Sequence, residues 1–214
     1  MKTVICADSF EWLPANRDVG AIITSLPDAS EIGMTDLDDY SKWVRRAATE
    51  CFLSASESCP VIFVQTDRRK DGRQFSKANL LMNIAADLGW FLVWHKIELS
   101  QEVGKSNLYR PAFRNMLCFG QGKVTAGQAT PDVIPVSKRL YDMAFGFAAA
   151  RVAVEFCKRY SKHICDPFCG HGTVLHVAEE TGTDSVGVDI DPKVCEIAGT
   201  ALTNPRTVAS CEQH

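Results

Sequence analysis

No stretch of the 214-residue chain approaches the about eighteen consecutive apolar residues that a membrane-crossing helix needs, and its opening MKTVICADSF lacks the apolar core of a secretory signal. A protein without a membrane role is expected, cytoplasmic or alternatively nuclear. Internal repeats and low-complexity tracts are absent too. The nine cysteines are odd in number and scattered through strand and helix patterns, which suits reduced, buried thiols better than a disulfide framework. Cys165 and Cys169, with His163, His171 and His176 nearby, lack the spacing of a zinc clip, so no metal site is expected.

Charge of one sign is also scarce overall, since 23 Lys and Arg against 26 Asp and Glu leave a net charge of −3. Its distribution is uneven. Residues 66–123 hold ten basic and five acidic side chains, while the segments on either side are acidic. In this middle third Arg68, Arg69, Lys70, Arg73, Arg110 and Arg114 alternate with Phe75, Tyr109 and Phe113, a mixture able to hold phosphates and stack on bases.

What the chain does contain is most informative at residues 164–191, ICDPFCGHGTVLHVAEETGTDSVGVDID. The pattern predicts a strand ending in Asp166, a turn carrying Gly170 and Gly172, a helix, and a second strand ending in Asp189. Such a unit binds an adenosine-containing cofactor, because the glycines admit the ligand to the backbone and the terminal acid receives ribose hydroxyls. A dinucleotide is disfavoured, since Leu175 stands where close packing around a pyrophosphate requires a small residue. The turn has no lysine for a phosphate, and Asp166 would repel one yet attract an amine. S-adenosylmethionine fits those requirements.

Strand patterns at 4–7, 20–24, 61–66, 90–97 and 115–119 alternate with helical ones at 37–54, 77–88 and 137–160, the last with Gly146 as its weak point. The segment 121–136 is polar and turn-rich. The expected fold is α/β: a Rossmann-like, mainly parallel sheet with helices on both faces and binding loops at the carboxyl ends of the strands. At this length one domain is expected, with 1–66 as its catalytic-loop half and 137–200 as its cofactor-binding half.

The wording DPFCGHGT and GVDIDP resembles the cofactor motif of the beta-type amino-methyltransferases, a family of DNA and RNA base N-methyltransferases that use S-adenosylmethionine. Its circularly permuted order, catalytic loop first and cofactor motif last, is also the order here. Asp8, the stretch FEWLPANRDVGAII and the loop SLPD (25–28) are similar to the family's N-terminal motifs. The resemblance implies that Asp166 binds the methionine amine, that Phe168, Gly170, Gly172 and Thr173 form the cofactor turn, and that Asp189 takes the ribose. Asp8 would contact the adenine amino group and Ile190 the adenine face. Ser25, Pro27 and Asp28 would form the catalytic loop.

Two departures shape the functional expectation. Leu26 replaces the family's first loop proline, and Asp28 replaces the aromatic residue that stacks on a flipped base. A carboxylate there suits proton removal from a ring nitrogen or hydroxyl, which puts methylation of an exocyclic amine in doubt. No element that fits a DNA groove is legible either. The expected activity is methylation of RNA, tRNA first, with Arg68, Arg69, Lys70, Arg110 and Arg114 holding the substrate. The alternatives are an inactive RNA- or partner-binding subunit and a DNA base N-methyltransferase. A homodimer or a partner subunit would suit the small size.

Overall fold

In the computed structural model the described residues are 1–200 apart from 106 and 142. In chain order they form β1 (Lys2–Cys6), α1 (Ser9–Ala15), β2 (Ala21–Thr24), α2 (Leu37–Ser54), β3 (Val61–Gln65), β4 (Arg68–Lys70), β5 (Arg73–Phe75), α3 (Lys77–Asp87), β6 (Phe91–Leu99), β7 (Phe113–Gly120), β8 (Val133–Ile134), α4 (Phe147–Cys157), β9 (His163–Asp166), α5 (Thr173–Glu180), β10 (Asp184–Asp189) and α6 (Pro192–Gly199). Eight strands join one sheet in the order β1-β10-β9-β2-β3-β7-β6-β8. β7 runs antiparallel to both neighbours, and every other pairing in the sheet is parallel.

The unbroken apolar runs AIIT and VIFVQ become the fully buried central strands β2 and β3, as strands covered on both faces require. Helix α2 begins where Asp36 caps it, accepting the amides of Asp38 and Asp39 at 2.9 Å. Its buried positions Tyr40, Val44, Ala47, Cys51 and Phe52 recur at helical spacing against one face of the sheet, with α1 and α3 beside it. On the opposite face α4 and α5 pack on Ile23, Ile62, Val64 and Ile164.

The chain leaves β9 and β2, neighbours in the sheet, toward opposite edges, so their carboxyl ends open the crevice where doubly wound folds bind ligands. Several elements differ from the sequence reading, among them the added helices α1 and α6. The helix expected over 137–160 begins only at Phe147, with Gly146 as its N-cap, and the described residues among 137–146 are irregular. Apolar residues of this irregular stretch, Met143 to Phe145, line the crevice instead of a helix face. The segment 121–136 contains the short strand β8, and residues 68–75 form the separate hairpin β4–β5.

Candidate active site

A cleft of about 580 Å³ lies over the carboxyl ends of β9, β10 and β2. Asp166 ends β9 fully buried, accepting the Thr24 hydroxyl at 2.7 Å and the Phe168 amide at 3.3 Å. Burial pushes its carboxyl up to about 7 against these two hydrogen bonds. Asp189 ends β10 and accepts the amides of Gly170 and Asp191, both at 3.0 Å, so it fixes the glycine turn while lining the cleft. Gly172 is left-handed at φ 83°, and a side chain there would press on Ala198. Leu175, the oversized residue of the turn motif, is accommodated because Gly187 of β10 leaves room for it: a Cβ at 187 would lie 2.5 Å from its Cδ1.

Phe168, Thr173 and Ile190 line the same cleft, and Ile190 is 69% exposed at its mouth, an apolar surface that a ligand would cover. Asp8 is in the cleft wall as well, although one carboxylate oxygen is committed to the Phe10 amide at 2.8 Å as the cap of α1. Ser9 of α1 donates to the Pro167 carbonyl, tying that helix to the cofactor turn. The donor set suits S-adenosylmethionine: carboxylates for an amine and a diol, apolar walls, and no lysine or arginine among the residues of the turn.

The loop after β2 enters from the other side. Ser25, Leu26 and Pro27 line the cleft, and Leu26 and Ala29 are buried in the core, so this loop is held from beneath. The Tyr40 hydroxyl donates to the Pro27 carbonyl at 2.8 Å. Asp28 takes another direction. It is buried outside the cleft wall, 2.7 Å from Arg110 Nη2, 3.5 Å from Lys77 Nζ and 4.0 Å from Arg68 Nη1. Burial pulls the Lys77 ammonium below its usual range, opposed by Asp28. The structure thus places Asp28 among three cations and not with Ser25 and Pro27 in the cleft wall.

The expected substrate contacts are engaged within the fold to different degrees. Arg114 is buried, 3.4 Å from the equally buried Glu98 and 3.0 Å from the Ala144 carbonyl, so it cannot meet a phosphate. Arg110 spans Asp28 and the Met143 sulfur. Arg69 and Lys70 are exposed on the β4–β5 hairpin. Sequence reasoning misses Thr24, which couples the two halves of the site, and Trp43, a helix position that packs edge-on against Phe168 and Phe10 and reaches the cleft. It also misses Glu31 and Tyr141; burial and the charge of Glu31 hold the Tyr141 phenol well above its usual range. Only tertiary proximity identifies these four.

Comparison with known proteins bears on the cofactor motif and on the fold. Residues 134–200 match the family model described as DNA methylase, which bears out the resemblance of the cofactor motif. Comparison with curated proteins gives no match. Among solved structures, a Thermus thermophilus protein named as a candidate DNA modification methylase, in complex with S-adenosyl-L-methionine, superposes with a TM-score of 0.70 at 17% identity, covering 92% of this chain and 91% of that one. M1.HpyAVI with S-adenosylmethionine gives 0.63 at 15%, covering 92% and 97%. PvuII DNA methyltransferase (cytosine-N4-specific) gives 0.69 at 15%, covering 97% and 90%. Likeness at such low identity establishes the fold.

Proposed function

We propose that this chain, which has the Rossmann-like methyltransferase fold and whose residues 134–200 match the DNA methylase family, is an S-adenosylmethionine-dependent methyltransferase acting on an exocyclic amine of a DNA base. The observation that carries the reading is the joining of the Ser25–Pro27 loop and the Asp166–Asp189 pair in one cleft, coupled by the Thr24–Asp166 hydrogen bond. The cofactor supplies an electrophilic methyl group.

Asp166 holds the amino group of the cofactor, Asp189 its ribose hydroxyls, and Phe168 and Ile190 its adenine. The Ser25 hydroxyl and the backbone carbonyls of the loop accept hydrogen bonds from the target amine and aim its lone pair at the methyl. The amine needs no strong base before transfer, and the pairing of Asp28 with three cations outside the cleft lining supports an amine acceptor. Aromatic surface, which the SLPD loop lacks, is supplied in the cleft wall by Trp43, Tyr141 and Phe145.

The substrate expectation shifts accordingly. RNA is favoured by the sequence because no groove-fitting element is legible in it, but both the family match and the similar structures are those of DNA methylases. Incubation with labelled cofactor and duplex DNA, tRNA or rRNA, followed by digestion to nucleosides, tests this. Label is expected in N4-methylcytosine or N6-methyladenine of DNA; label confined to RNA, or none at all, overturns it.

A further inference from the structure

The hairpin of β4 and β5 stands apart from the main sheet. Its strands pair Arg68 with Phe75, Arg69 with Gln74 and Lys70 with Arg73, closed by Asp71 and Gly72 at φ 50° and 70°, the positive pair that a tight hairpin turn demands. Its base is firmly mounted. Phe75 packs on Tyr40, the Arg69 amide donates to the Tyr109 carbonyl at 2.8 Å, the Arg69 guanidinium to the Asn107 carbonyl at 2.9 Å, and Lys70 to the Thr35 carbonyl at 2.9 Å. Its tip is open: residues 71–74 are exposed, and the Arg73 side chain makes no hydrogen bond or ion pair among the described residues.

Between hairpin and loop 107–110 lies a groove lined by five cations and a single carboxylate, Asp71, on a chain whose net charge is −3. Tyr109 is 68% exposed on its rim. The groove adjoins the cleft, since Arg110 belongs to it while contacting Met143 of the cleft wall. Three residues per strand reach roughly 10 Å, against a B-form major groove about 12 Å wide and about 8.5 Å deep that admits a two-stranded ribbon.

We propose that the β4–β5 hairpin is the duplex-reading element of this protein, entering the major groove of B-form DNA while the cationic groove behind it holds the phosphate backbone. This rests on the DNA reading above. Arg73 is a side chain of the kind that pairs bidentately with a guanine edge, and Lys70, opposite it on the same face, and Arg69 neutralise phosphates; the Gln74 amide is held within the fold by Asp67 at 2.9 Å. The occupant is duplex DNA and not helical RNA, whose major groove is too deep and narrow for a ribbon.

The test is duplex-DNA binding by fluorescence anisotropy across a salt series, comparing the wild type with Arg69→Ala/Lys70→Ala/Arg73→Ala and with Arg73→Ala alone, which removes a side chain that makes no hydrogen bond or ion pair among the described residues. The cofactor affinity of each variant, measured by calorimetry, reports its folding. The triple variant should bind at least tenfold more weakly, with a salt slope shallower by about 0.9 for each phosphate it no longer neutralises. Methyl green, a major-groove ligand, should displace the wild type, and the minor-groove ligand netropsin should not. Unchanged affinity and slope overturn the hairpin while leaving methyl transfer to DNA standing. Loss of duplex binding in a protein that transfers no methyl to DNA upholds the hairpin and overturns the function. Displacement by netropsin alone, or tighter binding of structured RNA than of duplex, overturns the groove assignment.

Discussion

On the proposed reading, Asp166 is subject to two influences that pull its proton in opposite directions. Burial favours its neutral form, and the ammonium of a bound cofactor favours its ionised form. Because its folded carboxyl titrates at about 7, above the ordinary 3.8, it holds a proton in that window which the unfolded chain has released. Its contribution to stability is therefore complete below pH 3.8 and lost as pH rises through 7. Cofactor affinity runs the other way. Between about pH 6 and 7.5 it should rise about fivefold, limited above by the cofactor's own amine; Asp166→Asn should bind weakly and lose this dependence. Calorimetry over that range checks it, and a pH dependence that survives in the variant defeats the role. Asp28 predicts a stability effect of a different origin. Asp28→Asn leaves the buried Lys77 without its carboxylate and should cost about 3–5 kcal/mol in urea unfolding. Lys77→Met in the same background should recover much of this, whereas a catalytic base would instead slow transfer roughly a hundredfold at unchanged stability.

At the level of elements, segment 137–146 is held over the cleft by a buried clamp. Glu98 accepts the Gly146 amide at 2.6 Å, Arg114 reaches the Ala144 carbonyl, and Ser137 accepts the Ala148 amide at 3.1 Å. Burial lifts the Glu98 carboxyl and lowers the Arg114 guanidinium, each opposed by the other's charge. A Cβ on residue 146 would lie 2.1 Å from Ser137 Oγ and 2.6 Å from Glu98 Oε1. Gly146→Ala should therefore cost about 1–3 kcal/mol of stability, the usual scale of overpacking, and weaken cofactor binding by displacing Tyr141 and Met143. Full cofactor affinity in a destabilised variant would show that the clamp does not position the cleft.

For the whole molecule, a ligand that binds only the folded state stabilises it by mass action. S-adenosylmethionine at about 100 times its dissociation constant should add about 2.7 kcal/mol, or roughly 5–11 °C in melting temperature for a chain of this size. NAD at the same concentration should leave the melting temperature unchanged. A larger shift with NAD would reverse the cofactor assignment.

The cofactor turn, the central strands and α2 are fixed locally and so are legible in the chain itself. Glycines at 170 and 172, carboxylates at strand ends and continuous apolar runs act within a few residues of one another, and the α/β class follows from the alternation of strand and helix patterns. The orientation of Asp28 is settled elsewhere, by cations from β4, α3 and the loop before β7 that no local spacing connects to it. Burial of Arg114 against Glu98 likewise depends on the pairing of β6 with β7. The start of α4 is not legible because 137–146 has apolar residues for a reason other than helix: they line a cleft whose other wall is made by residues more than a hundred positions away. A sequence specifies which side chains can do chemistry, and long-range packing decides which of them meet.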